Sequence, residues 1–370
     1  MNKLIETRFG TMECLEADSV VSRSLALYGE WAQAELSLLQ GLVRPGDTVL
    51  DVGAFIGTHT LAFARMVGAA GLVHSFEPRK DIRSILAANI QRNDLVQVVI
   101  HDCALGDIPG KVNIQAVDTE GAQNFGGLAI EAIESISTNE VESILLKTLA
   151  SFDFKKLDLL KIDAEGMEAK VIVGGIASIS RLRPLIFAEC NDLQNGTDTL
   201  RAMQNLGYSI YGYLSEAFNP LNFRGETENR FGSAAEVSLL GVPPSRIDTV
   251  VHSIDLTALA PIRSIDDLAL LLLHKPQYPD EAWGKSEAAA VLGLQFESPR
   301  SRLVNAQLDA VVAMNADFNA RLQEILQQTV ANNERCLTVE ADLRARVTAL
   351  EHAYRGSFTF RCRQFLGRTG

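Results

Sequence analysis

Residues Thr48–Thr58 read TVLDVGAFIGT. The β-branched and apolar run Thr48–Val52 predicts a buried strand, and Gly57–Val67 predicts a helix with Leu61, Ala64, Met66 and Val67 on its inner side. Gly53 permits a sharp backbone turn at the strand's end, and Gly57 lets the helix start close to the sheet. Such a strand, glycine loop and helix leave backbone N–H groups pointing at whatever lies in the loop. A helix N-terminus favours a carboxylate there as readily as a phosphate. Asp51 adds a negative charge suited to a ligand's ammonium group, and Ala54 lies in the same loop.

Working outward, short apolar runs alternate with amphipathic stretches from about Thr48 to Val242, the rhythm of a parallel sheet with crossover helices. Strands are predicted at Leu72–Phe76, Val96–His101, Leu157–Ile162, Pro184–Glu189, Ser209–Tyr213 and Glu236–Val242, with a helix at Lys80–Asn93. Lys111–Val117 and Ser143–Leu149 read as a strand pair around a glycine-containing loop. Before the sheet, Ser24–Leu42 is helical in pattern and stops at the turn Arg44-Pro45-Gly46-Asp47.

Glu77 follows the second strand, where an acid can accept both hydroxyls of a ribose. The pattern therefore specifies an adenosine-type cofactor. A dinucleotide would require GxGxxG, and the third glycine is missing; no GxxxxGK[ST] phosphate loop occurs either. Loss of the pyrophosphate motif with acids kept at Asp51 and Glu77 favours S-adenosylmethionine.

Composition narrows the function class. With 47% apolar and 22% charged residues the chain has ample material for a core. A net charge of −12 argues against a nucleic-acid surface, which needs clustered Lys and Arg. The five cysteines show no CxxC pair, so neither a zinc site nor a disulfide framework is indicated, and the usage fits a cytoplasmic protein. No secretory h-region is visible at the start, and Leu268–Leu273 is too short an apolar run to span a bilayer.

Several ordered motifs give the chain a sharper likeness. They are Tyr28-Gly29-Glu30-Trp31, DVGAFIGTHTL at 51–61, SFEP at 75–78, ALGD at 104–107, NFGG at 124–127, KIDAEGMEAKVIVGG at 161–175 and RPLIFAEC at 183–190. Together they resemble the FkbM family of S-adenosylmethionine-dependent methyltransferases. Phe55 departs from the pattern, standing where such families carry Asn or Gly. The resemblance implies a Rossmann-like α/β fold with a seven-stranded sheet, and methyl transfer to oxygen on a sugar or polyketide-type hydroxyl. It also implies that Asp51, Gly53 and Gly57 border the methionine moiety, that Glu77 holds the ribose, and that Asp102 and Cys103 frame the adenine.

A hydroxyl is a poor nucleophile, so a base positioned to take its proton assists transfer. Asp163 and Glu165 follow the strand Leu157–Ile162 at the ligand-facing edge, and both are catalytic candidates. For Glu165 the alternative is capping of the next helix. These acids would also suit a divalent cation such as Mg²⁺, but with only two nearby acids visible no metal site is indicated. Tyr28 and Trp31 are candidates to cover the cofactor or to pack in the core, and Asn124 to meet the acceptor. His59, just past the glycine loop, could reach the cleft but reads rather as a partly exposed helix residue.

Beyond Val242 the prolines of 251–300 predict a connector, and the chain is expected to divide into an N-terminal cap (1–47), a catalytic domain (48–250), that connector, and a helical tail (301–370). Residues 301–354 contain neither Gly nor Pro, and a heptad register from Leu322 to Tyr354 predicts a coiled coil for self-association, or one helix folded back on the domain. The last sixteen residues carry Arg355, Arg361, Arg363 and Arg368 without an acid, a basic end for an anionic membrane surface or simply a solvated one. The ending at 354–361 looks like tails on bacterial enzymes of surface-polysaccharide assembly and tilts the acceptor towards a glycan. A polyketide or lipid-like acceptor, and a degenerate cofactor-binding scaffold, are the competing readings.

Overall fold

The computed structural model describes residues 2–115, 124, 141–278, 344–346, 348–350 and 353. Those up to 278 fall within one compact unit, Met1–Lys285, and those from 344 on within a second, Ser286–Gly370.

The chain opens with a hairpin, β1 (Asn2–Thr7) and β2 (Gly10–Leu15), then α1 (Val21–Tyr28) and α2 (Gln33–Leu42). The glycine-loop unit follows as β3 (Thr48–Val52) and α3 (Thr58–Val67), then β4 (Leu72–Phe76), α4 (Lys80–Arg92) and β5 (Val98–His101). Next come β6 (Ala104–Leu105), β7 (Gly110–Gln115), β8 (Val141–Lys147), β9 (Leu159–Ile162), α5 (Glu168–Gly174), α6 (Ile176–Leu182) and β10 (Leu185–Glu189). The unit finishes with α7 (Leu193–Asn205), β11 (Ser209–Glu216), β12 (Ala235–Val242), α8 (Ile247–Val251), β13 (Ala260–Pro261) and α9 (Ile265–Leu273).

The main sheet runs β13-β11-β12-β10-β9-β3-β4-β5. Strands β10, β9, β3, β4 and β5 are parallel, whereas β12 is antiparallel to both of its neighbours. This is the expected Rossmann-like α/β sheet of seven strands with one addition: β13 extends the edge by pairing only Pro261 and Ala260 with Tyr211 and Gly212. Adjacent residues of a strand face opposite layers. Val49 and Leu159 join the core with α2, α3 and α4, while Leu50 and Leu160 join the core with α5, α7 and α9. Strand order reverses beside β3, so a crevice opens outside the carboxyl ends of β3 and β9.

Three local expectations are corrected. The helix over Ser24–Leu42 is two helices, because Gly29 (φ 70°) and Ala32 (φ 51°) take left-handed conformations between them. The N-terminal segment includes a hairpin, held to α4 by side-chain amides. Asn89 donates to the carbonyls of Glu13 and Ile56, and Asn93 donates to that of Thr11. The catalytic unit does not stop at residue 250. Helix α9 starts on a Ser264–Asp267 capping box and buries Leu268 and Leu272 completely, so much of the expected connector is core.

Among the described residues no helix is long and apolar enough to cross a membrane. Cys14, Cys103 and Cys190 are free and buried. The heptad stretch and the basic end lie outside the described residues, apart from the helical positions 344–346, 348–350 and 353.

Candidate active site

A cavity of about 590 Å³ opens at the carboxyl ends of the parallel strands. Its geometry begins with Gly53, whose φ of 80° is a left-handed conformation. A Cβ there would sit 1.7 Å from the carbonyl oxygen of Asp163, so the loop after β3 can pass the loop after β9 only as glycine. Phe55 also has positive φ, 49°, which gives a physical reason for Asn or Gly at this position. Its N–H donates to Glu77 Oε2 at 3.0 Å, and the Arg79 N–H donates to Glu77 Oε1 at 2.9 Å. Burial pushes the Glu77 carboxyl up to about 7, against the pull of those two N–H groups.

The opposite wall is built by the turn after β9. Glu165 (φ 49°) and Gly166 (φ 91°) are both left-handed, a strained arrangement that turns the chain back into α5. The N–H groups of Ala164 and Gly166 are accepted by Glu168, at 2.9 and 3.2 Å. Glu168 thus braces the turn before α5, which has no side-chain cap, and Glu165 lines the cavity. Lys161 is 3% exposed, with Nζ 3.1 Å from Asp163 Oδ2 and 3.5 Å from Asp51 Oδ1. Burial alone would lower its pKa; Asp163 and Asp51 outweigh that and hold it charged.

Glu189, at the end of β10, follows Ala188, which pairs with Ile162 of β9, and this brings its carboxyl close to that of Asp163. One oxygen each of Asp163, Glu165 and Glu189 falls within 4.8 Å of the others, a third acid beside the two legible in sequence. Lys161 supplies the positive charge beside this group. Burial raises Asp163, but Lys161, first among its partners, and the neighbouring Glu189 bring it below the usual carboxylate range. Burial and the Asp163 charge lift Glu165 to about 8 and Glu189 well above its ordinary value.

The rim is completed by elements far away in sequence. From α2, Glu35 accepts hydroxyl hydrogen bonds from Ser215 and Ser238, and His59 Nε2 lies 3.5 Å from its other oxygen. After α9, Lys275 donates to Asn191 at 2.8 Å and pairs with Glu236 at 3.1 Å.

Of the residues predicted from sequence, Gly53, Ala54, Glu77 and Cys103 line the cavity together with Trp31, Asn124, Asp163 and Glu165. Four predicted contacts are placed elsewhere. Asp51 is fully buried beneath the loop, where it accepts the Thr60 hydroxyl at 2.6 Å and pairs with Lys161. Gly57 (φ 98°) starts α3 against Leu86, so its lack of a side chain serves packing. Asp102 is exposed and does not line the cavity, leaving Cys103, Ala104 and Leu105 at the wall. Tyr28 is buried outside the cavity, its hydroxyl donating to the Glu228 carbonyl and accepting from the Arg230 N–H. His59, read as partly exposed, is 5% exposed and lines the cavity.

A family model described as the methyltransferase FkbM domain matches residues 51–210, which span β3 to the start of β11. Over that segment the chain is similar to the FkbM methyltransferase domain. A curated relative, the 31-O-demethyl-FK506 methyltransferase FkbM of Streptomyces tacrolimicus, is 26% identical over 45% of this chain and 75% of its own length. Among solved structures, an S-adenosylmethionine-dependent O-methyltransferase from Thermotoga maritima is 17% identical over 65% of this chain and 77% of that one, with a TM-score of 0.37. A methyltransferase FkbM from Methylobacillus flagellatus KT is 15% identical over 56% and 50%, with a TM-score of 0.35. The matched segment supplies Glu77, Asp163, Glu165 and Glu189, whereas Glu35, Glu236 and Lys275 come from outside it.

Proposed function

We propose that the chain moves a methyl group from S-adenosylmethionine to a hydroxyl of a sugar in a surface polysaccharide or related glycan. The observation that carries this reading is the two-sided cavity: an adenosine-type wall at Gly53–Phe55 and Glu77, and a wall of carboxylates and amides opposite. Glu77 has already satisfied two backbone N–H groups, and the remaining lone pairs of its oxygens suit the two hydroxyls of a ribose. When bound, the donor supplies an electrophilic methyl group.

The chain's own residues do the rest. Asp163, kept ionised by Lys161, takes the hydroxyl proton as the new bond forms. Glu165, Asn191, Asp192 and Asn195 offer the polar groups that hold and orient a polyhydroxyl acceptor, and alignment provides much of the acceleration in an in-line displacement. The excess of acids on this wall favours a neutral sugar over an anionic one. A polyketide-type acceptor is the second reading, favoured by the name of the Streptomyces tacrolimicus relative.

Transfer of labelled methyl to a panel of neutral sugars, uronic acids and macrolide alcohols separates these acceptors. Asp163→Asn should lower turnover about 100-fold or more while leaving donor affinity within a few fold. Unchanged turnover in that variant would remove the assignment.

A further inference from the structure

The close approach of the Asp163 and Glu189 carboxyl groups, with an oxygen of each within 4.8 Å of the other, has a consequence for proton traffic. Two carboxyl groups held this close share one proton, because two adjacent anions repel. The surroundings fix where that proton rests. On β9, Lys161 stands beside Asp163 and Asp51, which favours an ionised Asp163. Glu189 instead faces Glu165 on the turn and Glu236 on β12. Glu168 on α5 adds to the negative charge around Glu165, and Glu35 on α2 to that around Lys161. His59 on α3 acts on Asp163, while Lys275 pairs with Glu236 and Asn191. The acids outnumber the cations, and Glu189 is the carboxyl that keeps the proton.

Such a pair responds to a positive charge brought into the cavity. Resting on the donor proposed above, we propose that Asp163 and Glu189 form one proton-accepting unit that a cationic donor arms. The pair gives up its shared proton when the donor binds and takes one back from the acceptor hydroxyl during transfer. The step balances. The carbon–sulfur bond breaks with its electrons on sulfur, the carbon–oxygen bond forms, and the hydroxyl proton passes to the pair. The cavity thus exchanges a sulfonium charge for a proton, with no net change. Glu189 is thereby a catalytic residue beside Asp163, and the pair before transfer differs from the pair after it by one proton.

Binding calorimetry tests this without turnover. S-adenosylmethionine and the uncharged thioether S-adenosylhomocysteine are titrated into wild type and Glu189→Gln at pH 7, in EDTA, in two buffers of different ionisation enthalpy. Wild type should release about one more proton with the sulfonium than with the thioether, and Glu189→Gln should release no such excess. Ligand ionisation is common to both proteins and cancels. Equal proton counts for the two ligands in wild type would overturn the proposal, and that comparison stands even if the variant fails to fold. An undiminished excess in Glu189→Gln would also overturn it, as would proton release on adding Mg²⁺ alone to the protein in EDTA-free buffer, which would make the pair a cation site. Failure of both ligands to bind would sink the donor reading itself, a result distinct from binding without proton release.

Discussion

Replacing Glu77 with Gln keeps the side chain's volume and removes its charge. The carboxylate accepts the N–H groups of Phe55 and Arg79, one on each oxygen, and lines the cavity beside Gly53. Gln has one acceptor oxygen, so one of those N–H groups loses its partner, and a ribose loses a charged acceptor. A hydrogen bond to a charged group contributes about 1.5–3 kcal/mol, so the variant should bind S-adenosylhomocysteine about 10- to 150-fold more weakly at pH 8. The pH dependence is more diagnostic. Burial sets the Glu77 pKa at about 7. The ribose hydroxyls bind the ionised form, so affinity should rise with pH through that value. Between pH 8 and pH 6 wild type should weaken about tenfold, because protonation competes with binding. Glu77→Gln, with no charge to lose, should not show this. The thioether ligand brings no sulfonium charge, which keeps the acids at Asp163 and Glu189 out of the comparison. Calorimetric dissociation constants at pH 6, 7 and 8 for both proteins decide the matter. Parallel pH profiles for wild type and variant would refute the role of Glu77.

Three further substitutions probe the scaffold around this site. Gly53→Ala must put a Cβ into the Asp163 carbonyl and hold φ at 80°; it should cost about 2 kcal/mol or more in urea unfolding and abolish measurable donor binding. Lys161→Met leaves the fully buried Asp51 and the half-buried Asp163 without their shared cation, and unfolding at pH 7 should show a loss of about 3–5 kcal/mol. This loss should shrink at pH 4, where Asp163 can take a proton. Asn89→Ala removes the amide that ties the N-terminal hairpin to Ile56 in the glycine loop, with an expected loss of about 2 kcal/mol and faster proteolysis within residues 2–15.

The sequence carried the sheet well because its signals are local. Thr48–Val52 is buried along its whole length, and the TVLDVGAFIGT stretch forms the strand, loop and helix that its composition implies. Acids directly after apolar strands were legible for the same reason, at Glu77 and Asp163. Glu189 has the same placement after β10 and would have been found by applying that rule once more. Lys161 also left a mark, as a lone charge in the buried strand Leu159–Ile162 that requires an anionic partner. Other features have no local signal. The N-terminal hairpin depends on Asn89 and Asn93 of α4, and the rim depends on Glu35, Glu236 and Lys275 arriving from three separate elements. Asp51 misled because its position in the motif says nothing of where its carboxylate turns, and Thr60 and Lys161 draw it inward. For Tyr28 the core-packing alternative holds, and the sequence could not choose it because its partners, the backbone of Glu228 and Arg230, lie in a loop some 200 residues away.

The central claim is that the cavity at β3, β4, β9 and β10 is a methyl-donor site whose far wall handles the acceptor's proton. A crystal structure of the chain with S-adenosylhomocysteine tests it most directly. The account predicts both ribose hydroxyls on the Glu77 carboxylate, the nucleoside against Gly53–Phe55 and Cys103, and the sulfur turned toward Asp163 and Glu189. A ligand bound elsewhere, or one that leaves Glu77 untouched with its sulfur facing away from those two acids, would contradict it.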